Sequence, residues 1–268
     1  MIEFREVFFE YEDNKWAVEN LNFSFDKGQF VSIIGGNGSG KSTIARLTNG
    51  LLLSQKGKVI VDGITTDDPN IGNSIKAKVG IVFQNPDNQF IGMTVEEDIA
   101  FGLENLNVDR NEAHRRVTEV SEMLGIEKYL SSPPSILSGG EKQKVAIAGA
   151  LVLTPEYLVL DEVTSLLDPI SRREIISIVK SLVKNQGIGV LYITHNTEEI
   201  VDSDYIVAIN KGKIVTKGKA KEVFSNVEYL HSIGVSVPGD IYVSYYLKKR
   251  GLLSEDVFFE QEIIKRLC

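Results

Sequence analysis

Gly35-Gly36-Asn37-Gly38-Ser39-Gly40-Lys41-Ser42 fits the pattern G-x-x-x-x-G-K-[ST], and Thr43 follows it. Glycines let successive backbone N–H groups curl around phosphate oxygens. A helix N-terminus behind such a loop adds partial positive charge, and Lys41 has the reach for β and γ phosphates. The hydroxyl of Ser42 suits Mg²⁺. Further on, Tyr157-Leu158-Val159-Leu160 delivers Asp161 and Glu162. Two adjacent carboxylates repel without a cation, so Asp161 reads as the Mg²⁺ residue, acting through water, and Glu162 as the general base that polarises an attacking water. Acids that merely end a strand are common, and the phosphate loop upstream is what gives this pair a task. Ser138-Gly139-Gly140-Glu141 is a third feature. Ser at an N-cap with Glu three residues later forms a capping box. A capped helix needs no pair of glycines, however, and glycines at a helix N-terminus expose N–H groups to close approach by an anion. One phosphate loop and two anion-ready helix ends leave one end in surplus.

Such residues need elements to position them. The run Phe30-Val31-Ser32-Ile33-Ile34 enters the glycine loop and a helix-like stretch leaves it through Leu47. Residues 79–83, 157–160 and 190–194 are compact apolar runs without alternation, as expected for strands of a parallel sheet buried under helices. Residues 3–9 and 22–25 do alternate, which predicts an antiparallel flap with one wet face. Ala113, Val117, Val120 and Leu124 recur at helical spacing, Pro133-Pro134 breaks the chain, and a helix opening at Ser138 runs to about Leu153. Residues 242–249 and 256–267 read as short amphipathic helices in an accessory tail.

The fold class is therefore α/β: a core with a parallel sheet, an antiparallel β flap and a helical subdomain at about 86–155. These make up residues 1–218, followed by a small C-terminal extension, 219–268. The formal charge of -8 and the lack of a basic patch argue against a nucleic-acid partner. The single cysteine, Cys268, suits a reducing compartment. The acidic start of the sequence predicts no export signal, and no apolar run reaches the roughly 18 residues of a membrane-spanning helix. Any membrane role is expected to be peripheral.

The order of these motifs, with Gln84, Leu137-Ser138-Gly139-Gly140-Glu141, Ser165-Leu166-Leu167-Asp168 and His195, resembles the nucleotide-binding subunit of an ABC transporter over roughly residues 1–220. The resemblance implies an ATP-hydrolysing P-loop NTPase that pairs with a second ABC ATPase subunit, as a homo- or heterodimer, and sandwiches two ATP molecules. Each ATP is then held by the Walker A loop of one subunit and the signature loop of the other, which would employ the surplus helix end. It also implies that Tyr11 stacks on adenine, that Gln84 touches Mg²⁺ and the attacking water, that Asp168 belongs to a loop crossing the dimer interface, and that His195 contacts the γ-phosphate. Val82-Phe83-Gln84-Asn85-Pro86-Asp87-Asn88-Gln89-Phe90, Asp98-Ile99-Ala100-Phe101-Gly102-Leu103-Glu104-Asn105 and Val145-Ala146-Ile147-Ala148-Gly149 resemble the ATPases of energy-coupling-factor (ECF) transporters. Those import vitamins or transition-metal ions in prokaryotes through an integral membrane subunit, from its cytoplasmic face. Gly36-Asn37-Gly38 and Asn85-Pro86-Asp87-Asn88 look like the first of the two paired ATPases. Glu141 stands where that family more often has Gln, and Val163 where Ala or Pro is usual; an extra carboxylate at Glu141 predicts weaker attraction for the γ-phosphate.

Position gives the remaining candidates their weight. A lone His at a strand end is ordinarily a surface or core residue, and His195 gains significance only beside the other motifs; His114 and His231 have no such setting. Gln84 ends a buried strand on the sheet edge where ligands collect. Tyr11 competes with Trp16 for stacking on a base. Phe90 and Ile91 are read as a socket for a partner's coupling helix rather than a plug for a pocket of their own domain. Two rivals remain: a soluble ATP-gated clamp with the same dimer and no transporter, and a small-molecule kinase, which would leave Ser138-Gly139-Gly140 without a task.

Overall fold

Residues 30–35, 157–161 and 189–193 are buried at every position, so their strands lie inside a sheet covered on both faces. The computed structural model describes residues 1–11, 15–69 and 74–253. β3 (Phe30–Gly35), β6 (Val79–Val82), β7 (Tyr157–Asp161), β8 (Gly189–Ile193), β9 (Tyr205–Asn210) and β10 (Lys213–Gly218) form a six-stranded sheet in the order β10-β9-β3-β8-β7-β6. Its strands run parallel except β10, which returns antiparallel to β9. A second, antiparallel sheet contains β1 (Ile2–Glu10), β2 (Trp16–Phe25), β4 (Lys56–Val61) and β5 (Ile64–Thr65), in the order β2-β1-β4-β5. The expected flap is thus real and larger than expected, because β4 and β5 join it from beyond the phosphate loop.

Side chains alternate across the central sheet at a period of two. Val31, Ile33, Tyr157, Val159, Leu191 and Ile193 pack with Phe4, Leu21 and Phe25 of the flap and with Ile44 and Leu47 of α1 (Lys41–Thr48). On the other face, Ile34, Leu158, Leu160, Val190 and Tyr192 meet a helical layer. α2 (Ser74–Lys78) precedes β6. α3 (Val95–Asn105), α4 (Arg110–Leu124) and α5 (Gly139–Leu151) pack on one another, with α6 (Pro169–Gln186) beside α5. α4 presents Val117, Val120 and Leu124 inward and stops at Gly125 in a left-handed conformation, a standard helix ending.

After β10 come α7 (Ala220–Val223), α8 (Val227–Ser232) and α9 (Gly239–Lys249). Val223, Phe224, Leu230 and Ile241 are buried in the same cluster as Leu158 and Tyr192. α9 covers the first of the two amphipathic helices expected in the tail; the second, at 256–267, lies outside the described residues. No helix among the described residues is long and apolar enough to cross a membrane.

Candidate nucleotide and phosphate-transfer site

The sheet delivers its chemistry at one edge. β3 feeds residues 36–40 into α1, β7 ends at Asp161 and Glu162, β8 ends just before Thr194 and His195, and β6 ends before Gln84. These are the carboxyl ends of parallel strands, where open α/β sheets bind ligands. A cavity of about 820 Å³ is lined there by Tyr11, Lys15, Trp16, Ala17, residues 37–43, Gln84, Glu162 and His195. Eight of the residues singled out in the sequence for ATP, Asn37 to Thr43 and Tyr11, therefore share one space with Gln84, Glu162 and His195. Gly35 and Asp161 are buried behind it.

Loop geometry is dictated by close packing against the flap. Gly40 has φ +106°, and a Cβ there would lie 2.3 Å from the carbonyl oxygen of Ala17; only glycine fits both demands. Lys41 is 5% exposed. Its ammonium donates to the carbonyls of Gly35 and Gly36 at 2.9 and 3.1 Å and stands 3.6 Å from Glu162 Oε1. Glu162 Oε2 lies 3.4 Å from His195 Nδ1 and 3.4 Å from Gln84 Nε2, which also donates to Ser165 Oγ at 3.1 Å. Glu162 itself has φ +53°, a conformation costing a non-glycine residue of order 1–3 kcal/mol and retained mostly at functional positions.

Asp161 is 5% exposed and its Oδ1 has no hydrogen-bond partner within the protein. Burial pushes its carboxyl above the ordinary value; the hydroxyl of Ser42 pulls the other way, and the neighbouring Glu162 charge pushes it further up. A buried carboxyl with one oxygen orphaned and a serine hydroxyl beside it fits a hard divalent cation that keeps several waters. No dense cluster of His, Cys, Asp and Glu exists among the described residues, and a cation held largely by a hydroxyl, an amide and phosphate oxygens needs none.

Tyr11 is 48% exposed and its hydroxyl pairs with Thr43 Oγ1 at 3.2 Å. Trp16 lines the same cavity, but its ring lies edge-on to Phe8 and carries Lys56 at 5.3 Å from its centroid. Tyr11 is likewise edge-on to Phe9, at 5.0 Å, and what distinguishes the two rings is the Lys56 ammonium over Trp16.

Ser138, Gly139, Gly140, Glu141 and Asp168 do not line this cavity. The capping box at Ser138 is present in full. Glu141 accepts from the Ser138 N–H at 2.9 Å, from Ser138 Oγ at 2.7 Å and from the Tyr129 hydroxyl. Tyr129, then Ser138, hold the Glu141 carboxyl at about 2. The extra carboxylate is thus spent on local donors. Gly140 has a packing reason to be glycine, since a Cβ would sit 2.6 Å from Ser171 Oγ, whereas Gly139 has room. Asp168 caps α6, accepting from the N–H groups of Ile170 and Ser171 at 2.9 and 3.1 Å. Phe90 packs against the helical core while Ile91 is 66% exposed, and both line a cavity of about 260 Å³ with Phe101, Ala146 and Leu153. His114 lies 3.1 Å from Glu96, and His231 stacks on Tyr242.

Sequence reasoning did not find Tyr129 as the partner of Glu141. For Tyr129 no signal existed, since a tyrosine in a polar stretch looks like any surface residue.

Comparison with known proteins agrees with this arrangement. The sequence model of the ABC transporter family matches residues 18–165. The chain belongs to the ABC transporter family. It is 46% identical over 253 residues, 94% of its length and 91% of the relative's, to the energy-coupling factor transporter ATP-binding protein EcfA1 of Caldanaerobacter subterraneus subsp. tengcongensis. It is 42% identical to the EcfA1 of Clostridium novyi, covering 100% of this chain and 98% of that one. Among solved structures it is similar to cbiO1 from Clostridium perfringens, described as part of the ABC transporter complex cbiONQ. That match has a TM-score of 0.78 at 31% identity, over 92% of this chain and 98% of that one. The dimeric bacterial ABC transporter cassette MJ0796 matches with a TM-score of 0.75 at 30% identity, over 82% and 98% of the respective chains. Within its family the chain stands among the energy-coupling factor transporter ATP-binding proteins, as the resemblance in its motifs implied.

Proposed function

We propose that the chain is the ATP-binding and hydrolysing subunit of an ECF-type ABC importer, powering uptake of vitamins or metal ions through an integral membrane partner. It works at the cytoplasmic face of the membrane, paired with a second ABC ATPase subunit. The observation that carries this reading is the ring around Glu162: Lys41 at 3.6 Å, His195 at 3.4 Å and Gln84 at 3.4 Å, on the wall of a cavity bordered by the glycine loop.

In this reading residues 35–43 wrap the phosphates with backbone N–H groups, and Lys41 neutralises the terminal ones. Tyr11 stacks on adenine. Glu162 takes the proton of the attacking water, Gln84 orients that water, and His195 donates to the γ-phosphate. Ser42, Gln84 and, through water, Asp161 would hold Mg²⁺, which would neutralise charge on the phosphate oxygens. Ser138, Gly139 and Gly140 face the nucleotide of the partner subunit, with Glu141 bracing Ser138, and Asp168 fixes the start of a loop at the subunit interface. Residues 1–218 form the ATPase domain, the helices within 86–155 its signature subdomain, and residues 219–268 an accessory extension that favours dimerisation.

Losing a general base costs about 10²–10⁴ in rate. Glu162→Gln is expected to bind ATP and dimerise while its turnover falls by that factor; normal turnover would remove Glu162 from the mechanism. Copurification with a hydrophobic membrane subunit separates the transporter from a soluble clamp.

A further inference from the structure

Glu199 lies between the two loops that carry the site, although it touches neither the cavity nor the glycine loop. It is 5% exposed. Its carboxylate accepts from Tyr192 Oη at 2.8 Å, Thr194 Oγ1 at 2.9 Å, Thr164 Oγ1 at 3.0 Å and Asn196 Nδ2 at 3.2 Å. Arg172 Nε stands 3.5 Å away. Every one of these partners lies in residues 164–172 or 192–196. Thr194 and Asn196 are the two chain neighbours of His195. Thr164 is two residues past Glu162 and directly before Ser165, the hydroxyl to which Gln84 donates. Arg172 also donates to the carbonyl of Leu167 at 3.3 Å, in the same loop as Thr164.

We propose that Glu199 is a positioning residue for hydrolysis: a single buried carboxylate that fixes the His195 loop against the loop following Glu162, and so sets how Glu162, His195 and Gln84 face one another. This rests on the reading of Glu162 and His195 given above.

The side-chain type follows from the donors. Three hydroxyls and an amide N–H converge beside a guanidinium that pairs by charge alone, and an ionised carboxylate is the side chain that offers only acceptors, with about four lone-pair sites. Charge-assisted bonds of this kind are shorter and stiffer than neutral ones. Burying a carboxylate is costly unless it is paired and fully bonded; here Thr164, Thr194 and Asn196 of the two loops bond it, with Tyr192 at the end of β8 and Arg172 in the first turn of α6 completing the set. Asn196 also caps the short turn that carries Glu199, but the bonds to Thr194 and Thr164 reach from that turn to the strand end before His195 and to the loop after Glu162. The backbone already joins the two strands, through Glu162 N–H to the carbonyl of Ile193 at 2.9 Å; what the carboxylate adds is the placement of the loops beyond them.

Misplacing a reacting group by about 1 Å costs about 10² in rate. In ATP hydrolysis by the full chain with Mg²⁺, Glu199→Ala is expected to lower kcat by about 10², and Glu199→Gln, which keeps the shape and part of the bonding, by about tenfold. KM for ATP stays within about twofold, because the glycine loop makes no contact with Glu199. Thr164→Val, a milder change that removes one bond, is expected to lower kcat severalfold alone and to have no further effect in the Glu199→Ala background. An unchanged kcat in folded Glu199→Ala or Glu199→Gln overturns the proposal, as does a multiplicative, independent effect of Thr164→Val. Should Glu199→Ala not fold, Thr164→Val alone decides: an unchanged kcat there refutes the role, and a fall in kcat at constant KM supports it. Glu162→Gln run in parallel keeps the two readings apart. If Glu162→Gln turns over normally, the assignment of the site fails; if it is inactive while Glu199→Ala is normal, only the role of Glu199 fails.

Discussion

The helices α1 and α5 both start from the glycines of a sequence motif, and they begin in opposite ways. α1 opens from Gly40, which sits at φ +106° with no side chain capping the helix end. α5 opens from Ser138 with both halves of a capping box formed, and Glu141 takes a further bond from Tyr129. α1 can do without a cap because Ile44, Ala45 and Leu47 anchor it in the core beneath the flap, leaving its first N–H groups for an anion. α5 begins with Gly139 and Gly140, poor helix formers, and its first turn leans on local bonds instead. A glycine-rich helix start therefore does not by itself define a phosphate site. What distinguishes the two is whether packing or capping holds the first turn.

The sharpest way to break this contrast is Lys41→Ala set against Ser138→Ala. Removing a preorganised donor to developing phosphate charge costs about 10²–10³, so Lys41→Ala is expected to abolish measurable ATP hydrolysis and to weaken ATP binding by the isolated chain. Ser138→Ala should leave that binding intact, since Ser138 lines no part of the cavity. Equilibrium titration with ATP reads both; equal weakening would erase the distinction. Next in size is Gly40→Ala, which forces a Cβ to 2.3 Å from the Ala17 carbonyl at a positive φ. Strain of about 1–3 kcal/mol should lower the melting temperature by several degrees. Gly139→Ala meets nothing closer than Leu167 Cδ2 at 3.6 Å and should be neutral or slightly stabilising in the same melt. A Gly139→Ala loss as large as that of Gly40→Ala would mean that α5 is as tightly constrained as α1.

The contrast also marks what the sequence could reveal. The unbroken apolar runs leading into Gly35, Asp161 and Thr194 located three central strands, because burial on both faces leaves no room for polar alternation. The glycine-lysine pattern located α1 for a similarly local reason. β4, β5 and β10 went unseen because their burial is mixed and gives no local period; β9 went unseen although Ile206 to Ile209 form a buried apolar run like those of the other central strands. Among site residues, those whose function comes from their own chemistry were legible, Lys41 and Glu162 above all. Glu199 was not, because an acid in Asn196-Thr197-Glu198-Glu199 looks solvated, and only the return of β8 beside β7 brings Thr164 to it. Glu141 reads in the sequence both as the capping partner of Ser138 and as an added carboxylate that weakens attraction for the γ-phosphate. The structure shows the cap and adds a donor that the motif pattern did not contain, the Tyr129 hydroxyl; these bonds favour the ionised carboxylate, which keeps its negative charge at neutral pH.

Smaller effects test the capped end itself. Ser138→Ala removes the N-cap oxygen of α5, a loss of typically about 1 kcal/mol, which for a chain of this size corresponds to a drop of roughly 2–4 °C in melting temperature. In the proposed sandwich it also removes a contact to the partner's nucleotide, so ATP-driven dimerisation, followed by size-exclusion chromatography with the Glu162→Gln background to block turnover, should weaken more than stability does. If dimerisation persists unchanged while the melting temperature falls, Ser138 serves the helix and not the phosphate.

Tyr129→Phe is the subtlest change and isolates the charge. In the folded chain Glu141 titrates at about 2, held down first by the Tyr129 hydroxyl and then by Ser138, against an ordinary value of 4.5. A carboxyl whose folded value is depressed contributes stability that is fully present above 4.5 and is lost as the pH falls through the window down to about 2. Deleting the hydroxyl lets the folded value rise toward the ordinary one, so Tyr129→Phe should be modestly less stable than the parent at neutral pH, and the gap should narrow as both are taken below pH 4.5. Urea unfolding midpoints of parent and variant, measured from neutral pH to about pH 3, read the gap directly. A difference that stays constant across that range would show that Tyr129 supports α5 by packing alone, and the Glu141 carboxylate would then remain available to repel a neighbouring phosphate.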